Sequence, residues 1–367
     1  MRLFRSERAA AVILILAAAA GLIIANTAIG PAVIDFTHEK VGFLSIAHWV
    51  TDGLLAVFFF LAAIELKHEL TSGELSSVRK AIVPAAAAVG GVVAPALIYL
   101  AVVHDKALAM GWPIPTATDI AFALGVLALV GGRLPTRVRA LLLALAVLDD
   151  LIAILIIAIF FTTEVAWIPL LIAVPVVITF WLLSRVRARW WTIALLIVLG
   201  VGTWVLVALS GIHPTVAGVA LGLVMAGKPG MRTRHVLEPF SNGIILPVFA
   251  FVAALVVVPG VGIANLSPAF WGIVIALPVG KLIGITAGAA IAMAFTRRHG
   301  ATPPIGDVVV VASLGGIGFT VSLLMNQLAW KSNLELVDEG TLAVILGSVI
   351  AAIVGIIVTS ARARTYK

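Results

Sequence analysis

The chain has 367 residues, 62% of them hydrophobic and 11% charged, with no cysteine and a formal net charge of +7. A mean hydropathy of +1.20 is more apolar surface than a soluble fold of this length can cover, so the chain belongs in a bilayer. The absent cysteines exclude disulfides, thiolate metal sites and thiol nucleophiles, the continuous apolar runs exclude the alternation of a membrane β-barrel, and the placement of the positive charge excludes nucleic acid as a partner.

Twelve apolar segments follow one another near 10–29, 46–66, 81–103, 116–131, 139–163, 166–184, 190–209, 212–227, 241–258, 269–295, 306–327 and 340–360. They predict an all-α polytopic membrane protein of about 12 transmembrane helices. The first follows "MRLFRSER"; its apolar run is too long for a signal peptide and reads as a retained span. The second carries Asp52 near its start.

The fourth is preceded by "GWPIPTATD" (111–119), so only 120–130 is cleanly apolar. Eleven helical residues cover about 16 Å, roughly half of a hydrocarbon core of about 30 Å. Pro113 and Pro115 make the rest poor helix, and such backbone is tolerated at depth only inside protein or beside a water-filled cavity. Asp119 then falls at the break, near the N-terminus of the half-helix. The fifth segment, "LLALAVLDDLIAILIIAIF" (142–160), places Asp149 and Asp150 near its centre. Between the seventh and eighth, Ser210 and His213 are the one close pair a serine hydrolase could use, but "SGIHP" reads as a short turn with His213 in a packing or capping role. The tenth carries Lys281, and the eleventh carries "GGIG" at 315–318. Close helix packing is the commoner use of such glycines in membranes; the resemblance to segment four favours a break.

Twenty of the 24 Lys and Arg residues fall on alternate loops with the N-terminal Arg2, Arg5 and Arg8, three (Lys40, Lys106, Lys331) on the other side, and Lys281 within a segment. This predicts an even number of spans with both termini in the cytoplasm of a plasma or inner membrane. Trp49, Trp112, Trp167, Trp190, Trp191 and Trp330 lie near span ends, as interfacial anchors do. No soluble domain or long linker interrupts the pattern, so residues 1–367 form a single transmembrane domain. Segments four and eleven cross in opposite directions, the pointer to inverted repeats with a site at mid-membrane; the repeat halves fall at about 81–163 and 269–360.

Five ionisable residues lie well inside segments: Asp52, Asp119, Asp149, Asp150 and Lys281. Each costs about 2.5–3.5 kcal/mol at a helix centre. One lysine neutralises one aspartate, which leaves at least two central carboxylates without a basic partner. Adjacent helical residues point about 100° apart, so one of Asp149 and Asp150 can turn toward a base while the other faces a cavity. A carboxylate without a partner in low dielectric holds either a proton or a cation, and competition between the two is the minimum machinery of a cation/proton exchanger. Asp119 can compensate helix N-termini and Lys281 helix C-termini at the breaks. Thr118 and freed carbonyls can complete an oxygen shell.

"PTATDIAFALGVLAL" (115–129), "LAVLDDLIAILIIAIF" (145–160), "SGIHPTVAGV" (210–219), "ILPVFAF" (245–251), "GKLIG" (280–284) and "GGIGFTVS" (315–322) closely resemble, in order and over the whole chain, the NhaA family of sodium/proton antiporters. That family is itself a standard instance of inverted repeats with interrupted helices. The resemblance implies that Asp150 is the principal ligand of Na+ or Li+, that Asp149 pairs with Lys281 in one protonation state, and that Thr118 and Asp119 lie where the two interrupted helices cross. It also implies electrogenic exchange by alternating access, a role in sodium and pH homeostasis, and no cofactor. Asp52 matches a position of less central role. Two departures bear on pH response: "AIELKHEL" (63–70) keeps Glu65, Lys67 and Glu69 but has His68 for Arg, and "RTRHVLEPF" has Arg234 and Glu238 where some members have Glu and His; separately, Ala253 replaces Asn. Some members dimerise through a hairpin in the first external loop, which is short here (30–45), so a homodimer stays open.

Other readings fit less well. An intramembrane aspartyl protease needs aspartates on facing helices and a GxGD setting, which this chain lacks. A channel needs rings of filter residues. A transporter of the same architecture coupled to potassium or an organic anion is the nearest rival; surplus acid opposes the anion.

Overall fold

In hydrocarbon, backbone N–H and C=O groups find partners only within their own helix, and these long apolar runs fold accordingly. The computed structural model describes residues 7–73, 75–162, 165–225, 227–258, 266–296, 303–331 and 333–366, without the side chains of 7, 78, 79 and 296. Among the basic residues used for orientation, Arg2, Arg5, Arg297, Arg298 and Lys367 lie outside the described residues.

Helix α1 (Glu7–Ala25) leads through α2 (Gly30–His38) and a two-stranded antiparallel hairpin, β1 (Lys40–Val41) and β2 (Leu44–Ser45), to the short α3 (Ile46–His48). A π-helical turn at Trp49–Leu54 continues into α4 (Leu55–Ser72). Next come α5 (Val78–Val102), two 3-10 turns, α6 (Ile120–Val130), α7 (Thr136–Phe160), α8 (Trp167–Ser184), α9 (Trp190–Leu209) and α10 (Thr215–Val224). α11 (Gly227–Phe240) joins α12 (Leu246–Ala253) through a π-helical turn at Ser241–Ile245, and α13 (Pro268–Ile275) joins α14 (Lys281–Thr296) through another at Ala276–Gly280. The chain closes with α15 (Ile305–Gly315), α16 (Phe319–Ala329) and α17 (Leu334–Ala363).

Each of the twelve sequence segments has its counterpart. Among the described residues ten are long and apolar enough to cross a membrane, one of them (Ala109–Val130) as an interrupted span; α15 and α16 form a further span bent by 47°, and α10 is a shorter apolar helix. Two local readings differ. The polar stretch 227–240 is helical, although Gly227, Pro229, Gly230 and Pro239 disguise its period; the ninth span therefore starts earlier than its apolar core. Trp330 is buried rather than standing at an interface, whereas Trp167 and Trp190 are exposed as anchors should be.

Small residues let the backbones around the centre approach closely. A Cβ on Gly284 would strike the carbonyl of Gly90, and one on Gly90 would strike that of Gly284. This contact presses α14 against α5, in the manner of membrane helices that associate by packing rather than by the hydrophobic effect.

Candidate functional site

Segment four crosses as two 3-10 turns (Ala109–Gly111 and Ile114–Thr116), an extended stretch, and then α6. Segment eleven breaks between α15 and α16 at 316–318, so Gly315 ends one half, Gly316 follows it and Gly318 caps the other. The two breaks touch: Asp119 N–H donates to the Ile317 carbonyl at 2.6 Å, and the Thr118 hydroxyl donates to the Gly315 carbonyl at 2.8 Å. Only glycine fits at 318, because a Cβ there would meet Ser322, Leu277 and the Ala117 carbonyl.

The N-termini of α6 and α16 both converge on Asp119. Its carboxylate accepts from Phe122 N–H at 2.9 Å, from Thr320 N–H at 3.1 Å and from the Thr320 hydroxyl at 2.7 Å. One anion thus satisfies orphan donors of two half-helices and opposes both positive dipole ends. With both oxygens engaged, Asp119 acts as a cap, and Thr118 is likewise committed to Gly315. Thr320 was passed over in the sequence, where a lone Thr in an apolar run carries no signal.

Behind the crossing, the buried Lys281 ammonium donates to both oxygens of Asp149, at 2.9 and 2.8 Å. The π-helical turn before Lys281 delivers it from α14 toward α7; such turns recur at functional sites. Thr118 stands beside Asp149 through its hydroxyl and backbone N–H. Lys281 therefore compensates an acid side chain, where the dipole argument had placed it at helix C-termini.

Asp150 points elsewhere, as the angle between neighbours requires. Among the described residues no donor hydrogen-bonds its carboxylate, and its charged neighbours are chiefly acids: Asp149, Asp119 and Glu65, with Lys281 opposing. It lines a cavity of about 300 Å³ together with Glu65, Arg139, Arg234, Glu238, Ser241 and Asn242. Arg234 bridges Glu65 at 2.8 Å and Glu238 at 3.1 Å. Arg234 is on this wall because 227–240 is helical; in the sequence its stretch resembled a solvated loop. Glu69 is one turn beyond Glu65 and its carboxylate packs over Gly73, away from the described cavity wall.

Asp52 is separate, thirteen residues before Glu65, which is about 20 Å along a helix. Its carboxylate accepts from the Thr51 hydroxyl at 3.1 Å and lies 3.5 Å from His213 Nε2. Ser210 donates to the Val207 carbonyl, while His213 Nδ1 meets the Thr215 hydroxyl at 2.7 Å. The two residues of the hydrolase reading are therefore engaged elsewhere. No cluster of three metal-ligating side chains occurs among the described residues.

Discontinuous spans crossing around buried charge, with a cavity leading to an acid that lacks a donor among the described residues, define the class as a secondary transporter of broken-helix architecture. Comparison with known proteins narrows the class. The chain matches the family described as Na+/H+ antiporter 1 over residues 1–359. It is 53% identical to Na(+)/H(+) antiporter NhaA 2 of Clavibacter michiganensis subsp. michiganensis over 376 residues, covering 99% of this chain and 92% of that protein. It is 45% identical to Na(+)/H(+) antiporter NhaA of Tropheryma whipplei (strain Twist) over 379 residues, covering 100% and 96%. It is 42% identical to Na(+)/H(+) antiporter NhaA of Streptomyces antibioticus over 386 residues, covering 99% and 79%. The chain belongs to the NhaA-type Na+/H+ antiporter family, and it is a multi-pass membrane transporter rather than an enzyme.

Proposed function

We propose that this chain exchanges cytoplasmic Na+ or Li+ for external protons, with Asp150 as the group that carries either ion. The observation behind this reading is the contrast between neighbours: Asp149 is tied to Lys281, whereas Asp150 has no hydrogen-bond donor among the described residues and lines the cavity. A desolvated carboxylate with acidic neighbours must be neutralised, and a proton or an alkali cation does so equally. Loading one excludes the other, which couples the two fluxes. Asp149 joins the exchange when its pairing with Lys281 opens, which makes electrogenic exchange of more protons than cations the natural stoichiometry. No cofactor enters this scheme; Na+ or Li+ and H+ are its substrates.

Alternating access would arise from inverted halves at about 81–163 and 269–360. Two interrupted spans meeting at Thr118 and Gly315 support that arrangement. The 20 basic residues on alternate loops support cytoplasmic termini in an inner or plasma membrane, and Arg139 and Arg234 on the cavity wall support a mouth on that same side. The β1–β2 hairpin, with Val41 and Phe43 exposed, is where a homodimer would form. Glu65 and Glu238, bridged by Arg234, are the acids placed to adjust the response to pH, with Glu69 and Asp52 in secondary roles.

The test is sodium-dependent dequenching of a pH-sensitive dye in everted vesicles. Asp150→Asn and Asp149→Asn each abolish the signal while the protein still folds and inserts. A wild-type signal from Asp150→Asn would refute the assignment of the carrier.

A further inference from the structure

We infer that Asp307 is a positioning residue for the exchange site, acting through a clamp with Arg137, Arg362 and Tyr366; this rests on the site proposed above. Asp307 lies in the first turn of α15 with its side chain 0% exposed. Its carboxylate accepts from Arg137 Nε at 3.0 Å, from Arg362 Nε at 2.9 Å and from the Tyr366 hydroxyl at 2.7 Å. The Tyr366 oxygen in turn accepts from Nη2 of Arg137 at 2.9 Å and of Arg362 at 3.1 Å. Both guanidiniums also lie over its ring, at 5.9 and 5.0 Å from the centroid, within cation–π range. These donors offset the cost of burying the Asp307 carboxylate. Arg362 and Tyr366 fall beyond residue 359, where the match to the family model ends.

Its reach to the site is mechanical. Arg137 is in the first turn of α7, twelve residues before Asp149, or about 18 Å along the helix; Asp307 is eight residues before Gly315, or about 12 Å. At the far ends Thr118 bridges the same two helices: its hydroxyl donates to the Gly315 carbonyl of α15, and it stands beside Asp149 of α7. α7 and α15 are therefore pinned at both ends, and α17 is drawn in by Arg362. Two residues after Arg137, Arg139 lines the cavity that ends at Asp150. Releasing the clamp lets α15 shift along α7 and moves the oxygens that receive the cation, while the hinge between conformations stays intact. The clamp should thus set affinity rather than turnover.

The experiment compares wild type, Tyr366→Phe, Asp307→Asn and Asp150→Asn in everted vesicles titrated with NaCl. Tyr366→Phe keeps the ring and removes only the bridging hydroxyl, so it remains informative if Asp307→Asn fails to insert. The expected result is a KM for Na+ raised by about threefold to tenfold in Tyr366→Phe, with the saturating rate within about twofold of wild type. An unchanged KM, even with a lowered melting temperature, would overturn the inference, as would a fall in saturating rate at constant KM. Asp150→Asn separates the two levels: its loss of exchange supports the site itself, and retained exchange would overturn the site whatever Tyr366→Phe does.

Discussion

Asp149 and Asp150 are neighbours in sequence with opposite circumstances. Asp149 is 1% exposed and shares two short bonds with a lysine that is 0% exposed. Truncating one partner of such a pair leaves the other charge buried and alone, at a cost of about 3–5 kcal/mol. Lys281→Ala is therefore expected to lower the thermal unfolding temperature of the purified protein clearly, while some exchange survives because Asp149 can be neutralised by a proton and Asp150 is untouched. Unchanged thermal stability would count against a holding role for Lys281. Asp119 differs from both: with donors from two half-helices on its oxygens, it is the counter-charge that keeps the crossing closed.

The helices owe their placement to a few residues without side chains. Gly90 and Gly284 let α5 and α14 touch backbone to backbone, one turn from Lys281. Gly284→Ala puts a methyl against a carbonyl that has no rotamer to yield, so it should cost about 1–3 kcal/mol and displace Lys281. The check is a denaturation midpoint together with vesicle exchange, both reduced; a wild-type midpoint would show that the helices can part freely.

Much of this architecture was legible beforehand. Pro113, Pro115 and "GGIG" mark the two breaks because proline and glycine act on the backbone itself, and Asp119 follows as a cap. The two-way split of Asp149 and Asp150 follows from helical angle alone, but which of them meets Lys281 depends on how α7 is rotated, and only the resemblance to known antiporters pointed to it. The place of Arg234 on the cavity wall and the pairing of Asp307 were not legible. Arg234 sits in a stretch whose glycines and prolines hide a helix, and Asp307 lies at a segment edge, with partners such as Arg362 that read as ordinary loop charge. A long-range ion pair leaves no local pattern.

For the molecule as a whole, the claim is one of mutual exclusion at a single carboxylate. The bundle buries Asp150 without a donor among the described residues, gives it a cavity of about 300 Å³, and braces the surrounding helices by the crossing on one side and the Asp307 clamp on the other. Proton and cation then compete for the same oxygens, so cation binding must weaken as protons become plentiful. The most direct measurement is calorimetric titration of the purified protein with Na+ at about pH 6 and about pH 8.5. The account predicts affinity higher by about tenfold or more at the alkaline pH, with proton release on binding. Equal affinity at the two pH values would contradict it.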